Sequence, residues 1–227
     1  MKVWVFVEGE ADRLALLALW DNWRHRLQSA GWGIAIVPLK NKSCYLQKLG
    51  PRAAEKLVRD EKDLVVGLPD LYPNHDYLNT KYEHADLPAL QKLQKLLVQQ
   101  ALTQTFNLPQ PAKLMDRFFP SALKHDLEVL LLASLTQLRK RLKTNDQLGN
   151  WQKPPENQNQ QCPPRDVIEH LFSKYLKRSY RDTTDAPAIL RSTPLRDVLF
   201  DTSQTVQCPV FKSVVDWIGT KTGIPGY

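Results

Sequence analysis

The sequence predicts an α/β fold: a mainly parallel sheet with helices on both faces and a helical extension at the C-terminal end. Three observations lead there. Over residues 1–144, short apolar runs alternate with longer segments of helical periodicity, the pattern of strand–helix–strand crossovers. The runs Val3-Trp4-Val5-Phe6-Val7, Ile34-Ala35-Ile36-Val37 and Leu64-Val65-Val66-Gly67-Leu68 are apolar throughout, as strands covered on both faces must be. The alternation then stops at Asn145–Pro164, beyond which only helical patterns follow.

The elements follow in order. Lys2–Val7 reads as a buried strand. Asp12–Ala30 reads as a helix, with Leu14, Leu17, Leu19, Trp20, Trp23 and Leu27 near helical spacing and Gly31 at its stop. Gly33–Leu39 is a second strand. Lys40–Gly50 is polar and reads as loop, and Pro51–Glu61 as a helix with proline at its start. Asp63–Leu68 is a third strand, ending near Asp70. Ala89–Phe106 is a helix with Leu90, Leu93, Leu97 and Ala101 on one side. Phe118–Leu123 is a fourth strand, and Asp126–Lys143 a helix with a leucine-rich stripe. The Asn/Gln/Pro-rich stretch 145–164 reads as a long loop or linker. Residues 165–227 hold a helix over Arg165–Leu176, a basic run Lys174–Arg181, a Pro/Thr-broken segment with Leu195–Phe200, and a last helix Pro209–Gly219. This third has too few apolar residues for its own core, so it is expected as an extension packed on domain 1–144. No internal repeat is present.

Composition bounds the function. The chain has 227 residues, 42% hydrophobic and 24% charged, as in an ordinary soluble globular protein. No apolar run approaches the ~18 residues of a membrane span. No signal-peptide pattern precedes the first strand, and Cys44, Cys162 and Cys208 lack the spacing of a disulfide framework or zinc knuckle. Cytoplasm is the expected location. Thirty-one Lys and Arg against 24 Asp and Glu leave a net charge of +7, a bias toward polyanions. There is no Walker loop, no GxGxxG and no GxSxG elbow, which excludes those nucleotide-binding and hydrolase chemistries. Cys44 and Cys208 lack any signature for nucleophilic work and read as small buried residues.

Acids remain. Glu8, Asp70 and the pair Asp126/Glu128 lie at or just after strand ends. In a parallel sheet those ends share one edge, so acids far apart in sequence can converge. Several carboxylate oxygens around one point suit a hard divalent cation, Mg2+ or Mn2+. Asp12 and Asp126 also suit helix capping and need no other role. Glu8 and Asp70, each directly after an apolar strand, are harder to assign to capping. His125 suits a ligand, a proton shuttle, a phosphate contact or a structural role. The loop after Asp70 carries His75 and His84, and reads either as a substrate contact or as a solvated segment.

These residues in this order resemble a TOPRIM domain, the Rossmann-like metal-binding fold of topoisomerases, bacterial primases and OLD-family nucleases. The more specific resemblance is to a TOPRIM-related domain of unknown function, often encoded beside AAA- or ABC-type ATPases in bacterial defence loci. Its parts are Val7-Glu8-Gly9 with Asp12, then Pro69-Asp70-Leu71-Tyr72, then His125-Asp126-Leu127-Glu128 with Val129–Ala133, then Pro163-Pro164-Arg165, Cys208–Phe211 and Trp217. The resemblance implies that Glu8 is a general acid/base or metal ligand, and that Asp70 is the first acid of an Asp-x-Asp motif. Tyr72 stands where the second acid belongs, and Asp12 where related sequences tend to carry Glu. Glu128, with His125 or Asp126, would supply the missing ligand. The reading is a divalent-metal-dependent nuclease, the effector partner of an ATPase in anti-phage defence. Glu8, Asp12, Asp70 and Glu128 would hold Mg2+ or Mn2+, and Glu8, Asp70, Glu128 and His125 would act in hydrolysis. Lys174, Lys177, Arg178 and Arg181 would hold phosphate oxygens of DNA or RNA; a solvated helix face is the other reading of that run. Expected partners are nucleic acid, an ATPase subunit and, as an option, further copies of the chain, with no membrane. The alternative function is a non-catalytic TOPRIM-fold module that docks on an ATPase or nucleic acid, which Tyr72 favours.

Overall fold

In the computed structural model, which describes residues 1–106 and 111–227, β1 (Lys2–Val7) lies inside a four-stranded parallel sheet of order β2-β1-β3-β4. Here β2 is Gly33–Pro38, β3 Leu64–Gly67 and β4 Phe118–Pro120. The register sets Val5 opposite Ile36 on one side and Val66 on the other, and Val66 opposite Phe119. The helices are α1 (Glu10–Leu19), α2 (Asp21–Ser29), α3 (Lys42–Arg59), α4 (Leu87–Phe106), α5 (Ala112–Met115), α6 (Glu128–Ala133), α7 (Leu135–Leu142), α8 (Pro164–Leu176), α9 (Asp182–Arg191), α10 (Leu195–Leu199) and α11 (Pro209–Thr222).

Strand alternation divides the core in two. Val3, Val5, Val7, Leu64 and Val66 face α1, α2 and the helices from α6 onward. Phe6, Val65 and Phe118 face α3 and α4. Helices therefore cover both faces, as expected. The first and last thirds of the chain meet directly: the Trp20 ring stacks on Phe211 at 6.0 Å, and Trp23 Nε1 donates to the Ile224 carbonyl at 3.0 Å. Truncating any such buried aromatic to alanine costs about 3–5 kcal/mol.

Several elements differ from the sequence reading. The long helix over Asp12–Ala30 breaks at Trp20 (φ −91°, ψ 10°), and both indoles, edge to face at 5.6 Å, enter one core. The polar stretch 40–50 is not loop but the start of α3. Asn41 Oδ1 accepts from Cys44 N at 3.1 Å to cap it, and Tyr45, Leu46 and Leu49 are buried while Ser43, Gln47 and Lys48 are exposed. Composition misleads there because one face suffices to anchor a helix. Pro51 then falls inside α3 on an exposed position, and the next turn continues because α3 crosses α4 closely. At that crossing a Cβ on Gly50 would lie 2.6 Å from the Leu97 carbonyl oxygen. The helix over Asp126–Lys143 splits at Ser134, whose hydroxyl turns back to the Leu130 carbonyl at 2.8 Å. Helix α9 was hidden by Pro187 and two threonines.

Stretch 145–164 is irregular but pinned. Its fully buried Glu156 accepts from the amides of Val210 (2.8 Å) and Phe211 (3.0 Å), capping α11. No helix among the described residues is long and apolar enough to cross a membrane.

Candidate functional site

All four strands are parallel, so their carboxyl ends share one edge. From β1 the chain crosses to β2 on one side and later returns to β3 on the other, which makes the β1/β3 end the topological switch point. Glu8 leaves β1 there. Its Oε1 accepts from the Asp70 amide at 3.3 Å and lies 3.6 Å from Lys42 Nζ, which also donates to the Asp70 carbonyl at 3.1 Å. Asp12, in the first turn of α1, accepts from the Gly9 amide at 2.8 Å, so it does cap the helix, yet it is only 8% exposed and near enough to raise Glu8. Asp70 continues the sheet edge: it bridges to Leu123, and the Leu71 amide donates to the Leu123 carbonyl at 2.7 Å. One carboxylate oxygen of Asp70 and one of Asp126 are buried and have no hydrogen-bond partner among the described residues. The other oxygen of Asp126 accepts from the Arg165 amide at 3.3 Å.

These acids strain one another. Burial pushes Glu8 up to about 7, with Asp12 adding to the rise and Lys42 opposing it. Burial raises Asp12 to about 6, helped by Asp182 and opposed by the Gly9 amide and Lys42. Asp70 is pushed well above the usual carboxylate range by burial and then by Asp12, Glu8 and Asp126. Burial lifts Asp126 to about 6 against the Arg165 amide. Crowded buried carboxylates with one ammonium among them are short of positive charge.

The third segment brings Asp126, Glu128 and His125. Asp126, not Glu128, is the acid that acts on Asp70. Glu128 is 2% exposed and is raised to about 8 by burial and Asp126, with Arg165 opposing. Its other neighbour is Tyr180, whose hydroxyl approaches it without forming a well-aligned hydrogen bond. His125 is 3% exposed; neither ring nitrogen has a partner among the described residues, and its ring lies 5.8 Å from that of Tyr72. Burial holds its pKa below the ordinary value, so the imidazole is neutral at pH 7. Tyr72 turns away from the acids and donates to the Ala85 carbonyl at 3.3 Å. The loop that follows packs on the start of α3: Tyr77 donates to the Lys42 carbonyl, and Asn74 donates to the His84 carbonyl at 2.7 Å.

Two charged residues escaped the sequence reading. Lys42 lay in a stretch read as loop. Asp182 opens α9, which packs along α1, and its carboxylate is 3.6 Å from Arg165 Nη1. Neither carries a local signal; tertiary packing alone brings them in.

The basic run divides. Arg178 donates through Nη1 and Nη2 to Asp185 at 2.8 and 2.7 Å, and Arg141 Nε donates to the same carboxylate at 3.0 Å. Burial would raise Asp185, but the arginines and the Arg181 amide hold it at about 2. Arg178 is thereby a clamp on α9 rather than a free phosphate ligand. Lys174, Lys177 and Arg181 remain exposed, with Lys174 Nζ 4.9 Å from the Tyr175 ring centroid.

Among the described residues, no three His, Cys, Asp or Glu side chains are already gathered tightly enough to hold one ion. A family model described as a domain of unknown function, DUF4276, matches residues 7–218. Among solved structures, the C-terminal region of the Burkholderia pseudomallei OLD protein is similar at 14% identity and a TM-score of 0.47, over 95% of this chain and 98% of that one. The C-terminal region of the Xanthomonas campestris pv. campestris OLD protein is similar at 14% identity and a TM-score of 0.41, over 86% and 87%. No curated protein matches the chain.

Proposed function

The chain belongs to the DUF4276 family, and from that premise we propose that it is a divalent-metal-dependent nuclease of TOPRIM type, the effector partner of an ATPase in anti-phage defence. The observation that carries the reading is the pair of buried carboxylate oxygens, one on Asp70 beside Glu8 and one on Asp126 near Asp70, that lack a hydrogen-bond partner among the described residues. A fold does not leave such oxygens bare without consequence: each costs about 1–3 kcal/mol. Their chemistry fits a hard cation, with Glu8 and Asp70 as ligands and Asp12 and Asp126 at the rim. Bound there, Mg2+ or Mn2+ would polarise the phosphodiester and the attacking water.

The chain's own groups supply the rest. Glu8, about 7 in the metal-free fold, is lowered by a bound cation and then serves as a carboxylate that accepts a hydrogen bond from the attacking water. His125, neutral and buried, can accept a proton or donate a hydrogen bond to a phosphate oxygen. Lys174, Lys177 and Arg181 can hold the backbone phosphates of DNA or RNA as point charges and a fork. Glu128 lies beside Asp126, which raises it, and Arg165, which opposes the rise.

The test is cleavage of DNA and RNA with Mg2+ and Mn2+, with and without a partner ATPase, by wild type and Glu8→Gln. Metal-dependent cutting by wild type that the variant lacks supports the reading; equal cutting by both removes Glu8 from it. A second reading, a non-catalytic module docking on an ATPase or nucleic acid, is favoured by the turned-away Tyr72 hydroxyl and by Lys42 inside the cleft. Nucleic-acid or ATPase binding by wild type and Glu8→Gln alike, with no cleavage by either, would favour it.

A further inference from the structure

Lys42 explains why the acids gather without forming a cage. It is the first residue of α3, whose start is fixed by the Asn41 cap and by the Tyr77 hydroxyl on the Lys42 carbonyl. Its side chain is 13% exposed and projects from that fixed point to within 3.6 Å of Glu8 Oε1 and 3.1 Å of the Asp70 carbonyl. Around it stand Glu8, Asp12 and Asp70, with Asp126 behind Asp70 and His84 on the loop side.

The ammonium is loosely held. It has three donors, and among the described residues it makes one hydrogen bond and one ion-pair contact. One positive charge faces several buried carboxylates. A divalent ion drawn to Glu8 and Asp70 competes with the ammonium for the same oxygens and repels it at about 4 Å. Displacement needs little movement. The tip of a four-carbon side chain can swing toward solvent while its backbone stays anchored.

We propose that the Lys42 ammonium is the resident cation of this cleft and that a divalent metal ion enters by expelling it, so the metal-free protein keeps its own site closed. This rests on the reading that the cleft takes a divalent ion. The site is then self-screened: cations weaker than Mg2+ or Mn2+, such as Na+ or K+, gain too little to displace Lys42.

The test uses the full chain and Mn2+ alone. Titration calorimetry on wild type and Lys42→Met compares affinities, and amine acetylation followed by peptide mass spectrometry reports the exposure of Lys42 in wild type. The proposal expects Mn2+ to bind Lys42→Met at least tenfold more tightly, and Lys42 to become more reactive as Mn2+ is added. Equal or weaker binding by a folded Lys42→Met, or Lys42 labelling that stays constant or falls with metal, overturns it. If Lys42→Met does not fold, the wild-type labelling decides alone. Binding to both proteins with equal affinity sinks the displacement but leaves the metal cleft standing. No Mn2+ binding to either folded protein sinks both.

Discussion

Two of the places where the protein buries carboxylates treat them in opposite ways. Asp185 is met by Arg141, Arg178 and the Arg181 amide, and its pKa is driven down to about 2. At the strand ends, Glu8, Asp12 and Asp70 share Lys42, Asp126 has Arg165 beside it, and all four are pushed upward. The first arrangement is how a fold satisfies a buried charge. The second leaves it incompletely satisfied, the electrostatic condition that candidate functional sites share.

The largest expected effect falls on the cleft. Glu8→Gln should lower metal-dependent cleavage about 10²–10⁴-fold, the range for a lost general base. It should leave the denaturation midpoint of the metal-free protein nearly unchanged, because it removes a charge the fold holds at a cost. Asp185→Asn should do the reverse. Unpairing two arginines at a buried site costs about 3 kcal/mol, read by urea denaturation, with cleavage per folded molecule kept. A Glu8→Gln protein that unfolds early, or an Asp185→Asn protein that does not, would erase the distinction between the two centres.

The pH dependence of stability sharpens the same contrast. Glu8, Asp12, Asp126 and Glu128 bind protons more tightly folded, at about 7, 6, 6 and 8, than unfolded, at about 4. Metal-free protein should therefore gain stability as pH falls from about 8.5 to about 5. His84 and His125, lowered in the fold, oppose this through their unfolded pKa near 6.5, but the carboxyls outnumber them. Asp185 acts oppositely to the cleft acids: its stabilisation is present above about 4 and is lost as pH falls toward 2. Thermal melts in EDTA should peak near pH 5. Saturating Mg2+ should lift the alkaline limb and leave the acid limb alone. A flat alkaline limb without metal would remove the claim that the cleft is electrostatically strained.

The two centres also differ in how far the sequence revealed them. Glu8 and Asp70 were legible because each directly follows an apolar run, and a parallel sheet forces such ends together. The layered α/β arrangement was legible for the same reason: β1, β2 and β3 are apolar on both faces. Lys42 was not legible, since the polar face of α3 hid a helix whose buried face is Tyr45, Leu46 and Leu49. Asp182 and Asp185 were not legible either, because Pro187 concealed α9 and their partners lie on other helices. Asp126 lies just before α6, whose first residue is Glu128, and of the two it is Asp126 that raises Asp70.

The smallest expected effect separates the basic run into its two parts. Lys177 is exposed at the C-terminal end of α8 with φ 53°, whereas Arg178 is held on Asp185. Lys177→Gln should leave stability within about 0.5 kcal/mol of wild type, as exposed substitutions do. If the exposed cations touch phosphate, the same change should reduce the slope of log affinity against log salt by about 0.7–0.9. Arg178→Gln should act through Asp185 instead, lowering stability by more than Lys177→Gln while leaving the salt slope near the wild-type value. Fluorescence anisotropy with a labelled oligonucleotide at several salt concentrations, paired with urea melts, reads both. If Arg178→Gln moves the slope and Lys177→Gln does not, the clamp on Asp185 opens to bind phosphate, and the boundary between the structural and the functional carboxylate centre runs through α9 itself.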